Sequence, residues 1–291
     1  MERQVRLLLA WLEENEAVAQ LLGHIPAPNE ETREQRETWQ AARIALQARP
    51  PYSSPTTGPG ELPPELREQG DAFRQRPDVL ASLQPYNWSL QMLNLREVLS
   101  FQKSVVEEQA IERANAVATN DLQSLFEFCL PAVSEAVKLP GALDHNQKGV
   151  TFTSLNPNLR VGNHLVLDID VPAGVGVPGR KEKFLGYSIS FGTQFIQVAD
   201  YNGRCFVRDG YHRTYGLLRR GIDCVPCVFI KARSFEELGA APTGFFPYET
   251  LFGERPPFLT DFLDDAVSIS AKQPALRKVV RISAEEFLIA I

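Results

Sequence analysis

Asp209, Gly210, Tyr211, His212 and Arg213 form one run of five residues that gathers a carboxylate, an imidazole and a guanidinium around a turn-forming glycine. Each type brings a distinct chemistry. Arginine offers a planar fork of N–H donors that matches a phosphate group, and histidine exchanges a proton near neutral pH. The run follows an apolar stretch, Cys205–Val207, and leads into an amphipathic one, Tyr211–Arg220. A turn at Asp209-Gly210 leaves the first N–H groups of the following helix without carbonyl partners, and such groups attract anions. The run therefore reads as an anion or phosphate site. A plainer reading stands beside it: a tight turn whose His212 and Arg213 make surface or packing hydrogen bonds.

Other clusters carry less. Cys224 and Cys227 have the C-x-x-C spacing but no second pair, and strand alternation puts them on opposite faces, so core packing is expected of both. His24, His145 and His164 stand alone, with His164 on a strand that could neighbour the site. Asp261, Asp264 and Asp265 read as a solvated loop or helix end.

The elements that must position the run are predicted from periodicity. Residues 3–23 and 30–47 read as helices, followed by a Pro-rich segment, 50–62, that forms a linker or a surface strap. Leu90–Leu95 fits a strand or a helix start, Glu97 to Leu130 a long helix interrupted near Asn120, and Pro131–Gly149 helix and loop. Strands are expected at 150–154, 165–171, 184–191, 195–201 and 204–208, the last two joined by a hairpin at Asn202-Gly203. After the helix at Tyr211–Arg220, Gly221 is a helix stop. Val225–Ile230 is a buried strand, which Pro226 begins or places at an edge. A Pro-rich loop, 245–257, and strands at 267–271 and 278–282 complete the chain. The expected fold is α+β, in three parts: a helical N-terminal extension (1–80), an α+β core with a mixed sheet (81–235) and a C-terminal extension packing on it (236–291).

Composition bounds the function. The 291 residues are 44% hydrophobic and 23% charged, the balance of an ordinary globular protein. A formal net charge of −6 argues against nucleic-acid binding through overall charge. Residues 180–235 nonetheless carry ten Lys/Arg against four Asp/Glu, a local excess that favours an anionic ligand there. No apolar run approaches a membrane span, and Met1–Glu16 lacks the form of a signal peptide. Four cysteines in a chain of this length fit a reducing compartment, so a cytoplasmic protein is expected.

The order Val207-Arg-Asp209-Gly210-Tyr-His212-Arg213, Leu217-Leu218, Gly221, Val225-Pro226 resembles the strand–turn–helix–strand of the ParB/sulfiredoxin-like superfamily over about 25 residues. The resemblance implies a nucleotide phosphate site. Carried over by position, the Gly210–Tyr211 backbone and the His212 and Arg213 side chains hold phosphate, and Asp209 caps the helix or organises a metal. The implied ligand is ATP or another nucleoside triphosphate with Mg²⁺, with phosphoryl transfer or hydrolysis as the associated chemistry. In the sulfiredoxin branch a nucleophilic cysteine precedes the histidine, and Tyr211 stands there, so that chemistry is not expected. The Gly-Glu-Arg-Arg form of the chromosome-partitioning branch is also missing, which leaves the serine kinase-like and uncharacterised branches. A kinase of this kind needs a carboxylate base, for which Glu97, Glu107 and Glu108 are candidates by position. Two further readings remain: an interaction protein that captures a partner through residues 1–80, and a ParB-like nuclease.

Overall fold

The computed structural model describes residues 2–55, 57–115, 117–118, 121–132, 141–143, 148–154, 159–172, 174, 178–191, 195–239 and 244–289. In chain order it runs β1 (Glu2–Leu7), α1 (Glu14–Leu22), α2 (Arg33–Gln47), α3 (Arg67–Arg74), α4 (Pro77–Leu83), β2 (Trp88–Asn94), β3 (Leu99–Ser100), β4 (Ser104–Val106), α5 (Glu107–Ala114) and α6 (Leu122–Cys129). Next come four strands, β5 (Gly141–Leu143), β6 (Gly149–Ser154), β7 (Leu159–Val171) and β8 (Arg180–Phe191). The chain finishes with β9 (Gln197–Tyr201), β10 (Arg204–Asp209), α7 (Tyr211–Arg219), β11 (Cys224–Lys231), α8 (Tyr248–Leu251), β12 (Ile269–Pro274) and β13 (Lys278–Ser283). The class is α+β, as expected. His145, the interruption near Asn120 and most of Pro131–Gly149 lie outside the described residues.

Two units divide the chain. The larger comprises residues 1–133 and 194–275, the smaller 134–193 and 276–291. The larger is built on a mixed five-stranded sheet in the order β2-β11-β9-β10-β3. The β9–β10 hairpin forms as its Asn-Gly turn dictates: Asn202 and Gly203 have φ of 52° and 74°, the left-handed pair that a two-residue turn requires. A second sheet, β12-β1-β4, joins residues near both ends of this unit. Leu8–Leu12, Phe101, Phe195, Phe206, Tyr215 and Phe262 are among the buried residues of one continuous core.

That core absorbs what reads as an appendage. Residues 1–80 do not form a separate extension: β1 pairs with both β4 and β12, and Leu8, Leu9, Leu12, Leu46, Leu66, Phe73 and Val79 are all buried in the common core. The helix expected over 3–23 is a strand to Leu7 and a helix only from Glu14. Val5 and Leu7 are buried while Gln4 and Arg6, alternating with them, are not, and Leu8–Leu12 is apolar at every position and so carries no period at all. Segment 50–60 is a strap: the Tyr52 N–H donates to the Glu254 carbonyl (2.6 Å), and Gly60 bridges to Met92.

The long helix expected from Glu97 is cut into β3, β4, α5 and α6, because Leu99, Phe101, Val105 and Val106 are drawn into extended, buried positions beside β10 and β1. Pro226 is the third residue of β11, an interior strand of the sheet, but at this position only β2 pairs with it and its other side is locally an edge. Its partner Met92 turns its own N–H and C=O toward Gly60, and pairing of β11 with β9 starts only at Val228, so the missing N–H falls before that ladder begins.

The smaller unit holds the antiparallel sheet β13-β6-β5 and the two-stranded ribbon β7–β8. Among the described residues no helix is long and apolar enough to cross a membrane.

Candidate functional site

β10 delivers the turn and α7 leaves it. Gly210 is the N-cap of α7, at φ 94° and ψ 17°, a conformation that side chains with a Cβ resist. A Cβ there would also sit 3.0 Å from Ile196 Cα, so glycine is required twice over. The Gly210 carbonyl accepts from the Arg213 and Thr214 N–H groups, both at 2.9 Å, which starts the helix. Asp209 does not cap α7. Its Oδ1 accepts the Gly210 N–H at 2.7 Å, and the helix has no side-chain cap. Tyr211 and His212 are the first two helical residues, and their N–H groups have no intrahelical carbonyl within reach. Tyr211 contributes backbone alone, since its ring is buried and its hydroxyl donates to the Val207 carbonyl.

The surroundings are cationic. Burial, then the charges of Arg113 on α5 and Arg3 on β1, push the His212 pKa down from 6.5 to about 4, so the ring is neutral at physiological pH. Its Nε2 is buried with no hydrogen-bond partner among the described residues. Burial and the same Arg113 lower the Arg213 pKa to about 10, while Asp209 acts in the opposite direction. The Arg213 guanidinium lies 5.7 Å from the Phe128 ring centroid, beside Cys129, whose thiol is pushed up by burial. Arg3 and Arg113 were not legible in the motif. Arg3 sat in what reads as helix, and Arg113 in a Glu-rich stretch that reads as a solvated face.

What holds α7 in place is its crossing with α5. A Cβ on Gly216 would lie 2.4 Å from the Ala110 carbonyl oxygen and 2.8 Å from Ala114 Cβ, so the two helices touch backbone to side chain. A glycine inside a helix costs about 1 kcal/mol relative to alanine, and that cost is the sequence signal for such an approach.

None of the three glutamates serves His212 in this arrangement. Glu97 accepts from Thr57 Oγ1 at 2.7 Å and lies by Cys205, at the end of β10 remote from the turn. Glu107 is buried and accepts from Tyr215 and Ser270, with Arg219 3.9 Å away; burial and this carboxylate raise the Tyr215 pKa to about 12. Glu108 is exposed in the first turn of α5. A neutral histidine with a pKa near 4, and with no carboxylate base beside it among the described residues, suits hydrogen bonding to a ligand better than proton transfer.

Elsewhere, Cys227 is buried but Cys224 is exposed, so only the first packs in the core. His164 lies on the β7–β8 ribbon, near Tyr187. Asp261 is buried, not solvated: it accepts the Phe258 N–H and, with Asp264, holds Arg49. Among the described residues no group of three or more His, Cys, Asp or Glu could hold a metal ion. The donor set at the turn fits an anion; for magnesium it offers the Asp209 carboxylate, which already accepts the Gly210 N–H. Comparison of the chain with protein-family models, with curated proteins and with solved structures gives no match.

Proposed function

We propose that the chain binds a phosphate-bearing ligand, a nucleoside triphosphate, at the N-terminus of α7. The observation that carries this reading is the convergence of Arg3, Arg113, His212 and Arg213, from three separate elements, on a helix N-terminus whose first N–H groups have no intrahelical carbonyl. Like charges brought together at a half-buried position repel one another. An anion seated among them relieves that repulsion and meets the positive end of the helix dipole. The resemblance of the strand–turn–helix to the ParB/sulfiredoxin-like superfamily supports the same ligand class, with Mg²⁺ entering as a partner of the phosphates. Four free thiols fit a cytoplasmic protein.

Binding, not phosphoryl transfer or hydrolysis, is the part of the expectation that the geometry favours, because Glu97 and Glu107 are engaged elsewhere and His212 is a weak base. The nuclease reading loses ground for the same reason. Partner capture through residues 1–80 does too, since those residues are built into the core.

The test is thermal unfolding with phosphate, ATP, ADP, CTP and GTP, with and without Mg²⁺, on wild type, Arg213→Gln and Arg113→Glu. Ligand at about 100 times its Kd raises stability by about 2.7 kcal/mol. A midpoint shift in wild type that both variants lose is the expected result. Arg113 is exposed, so its variant keeps the fold even where Arg213→Gln does not. No shift with any of these ligands overturns the reading.

A further inference from the structure

The β7–β8 ribbon is unlike the rest of the molecule. Its two strands, 13 and 12 residues long, pair only with each other among the described residues, and no described strand covers the outer edge of β7. Isolated two-stranded ribbons are marginal in water, and open edges invite a further strand. The ribbon also exposes large apolar side chains where soluble chains place polar ones. Leu165, Leu167 and Ile169 share one face with Phe184, and Val166 and Leu185 share the other. Phe184 lies over Gly186 on the first face, within 3.0 Å of where a Cβ would be, which widens the apolar surface.

The two edges differ. β8 carries Arg180, Lys181 and Lys183, the kind of basic guard that discourages edge pairing. β7 carries no Lys or Arg from Val161 to Val171; its only charges, Asp168 and Asp170, lie beyond the apolar run Leu165–Leu167. This arrangement complements itself. In an antiparallel two-fold pairing centred on Val166, His164 of one copy meets Asp168 of the other, and Leu165 meets Leu167. Centred on Leu167, His164 meets Asp170 and Leu165 meets Ile169. The first register sets Leu165 against Leu167 and Val166 against its own copy, whereas the second also places Val166 opposite Asp168, so the apolar match favours the first. In it His164 faces, twice, an Asp168 that Lys183 of the same ribbon also holds at 2.7 Å, and no like charges are opposed.

We propose that β7 pairs antiparallel with β7 of a second copy of this chain, joining two ribbons into one four-stranded sheet about a two-fold axis. The proposal is independent of the ligand at α7.

Sedimentation velocity of the full chain over a wide concentration range tests it, with hydrogen exchange on the same samples. A reversible dimer is expected, with amides of β7 slowing as dimer forms and those of β8 unchanged. Leu165→Lys/Leu167→Lys and Leu165→Glu/Leu167→Glu, all at exposed positions, each weaken self-association at least about tenfold. Mixing the two variants restores a dimer, because opposite charges then face each other across the new ladder. A wild type that stays monomeric at every concentration overturns the proposal. So does a dimer indifferent to both variants, which lies on another surface, or a monomer that binds neutral lipid vesicles through the ribbon, which assigns the apolar face to a bilayer.

Discussion

The α7 turn and the β7–β8 ribbon use the backbone in opposite ways. At the turn, backbone groups are left over because a helix begins there, and the surroundings hold them rigidly: Gly210 against Ile196, and Gly216 against Ala110 and Ala114. On the ribbon, no strand among the described residues covers the outer edge of β7, and exposed Leu, Val and Phe side chains flank it. The first arrangement concentrates charge for a small ligand. The second spreads apolar surface for a large partner. Unsatisfied backbone is thus a lead to function only when read with what surrounds it.

Substitutions separate the two regions by the size of their effect on unfolding. The largest is expected from Gly216→Ala, because no side chain can move out of the way of a backbone carbonyl; the helices must part, at a cost of about 3 kcal/mol, read from urea unfolding. An unchanged midpoint would sink the account of the α5–α7 crossing.

Acid gives the next effect. His212 titrates near 4 when folded and near 6.5 when unfolded. The unfolded chain therefore binds more protons between those values, and stability is full above pH 6.5 and falls as the pH drops toward 4. The contribution is on the order of 3 kcal/mol at its limit, and His212→Gln should flatten that part of the pH–stability curve.

Gly210→Ala is smaller, at about 1–2 kcal/mol for a left-handed position, and should weaken phosphate binding as the turn shifts. The smallest belongs to the ribbon. Leu165→Lys changes the stability of the monomer by no more than about 0.5 kcal/mol, even as it weakens the proposed pairing between copies. A ribbon variant that unfolds the monomer would erase the contrast between the regions.

The sequence made the hairpin, α7, its stopping glycine and the turn legible, since each depends on local chemistry: Asn202-Gly203, Gly210 and Gly221 adopt the positive φ that their positions suggest. What it concealed was decided at long range. Glu2–Leu7 is a strand only because Ser104–Val106 and Ile269–Pro274 flank it. The same pairing brings Arg3 to His212, so half of the cationic surroundings had no local signature. Glu97 and Glu108 are candidates by position along the chain alone, and the fold turns one toward Thr57 and the other toward solvent.

The pairing of β1 with β12 also sets an order of events during synthesis. β1 leaves the ribosome first, yet its partner Ile269–Pro274 is made some 262 residues after Leu7. At about 5–20 residues per second the wait is roughly 13–50 seconds. Until then β4, once made, is the one of its two partners among the described residues that β1 can have, and the edge that β12 covers stays open. A product truncated before β12 would carry the motif while the strand that holds Arg3 beside it lacked one of its two flanking partners.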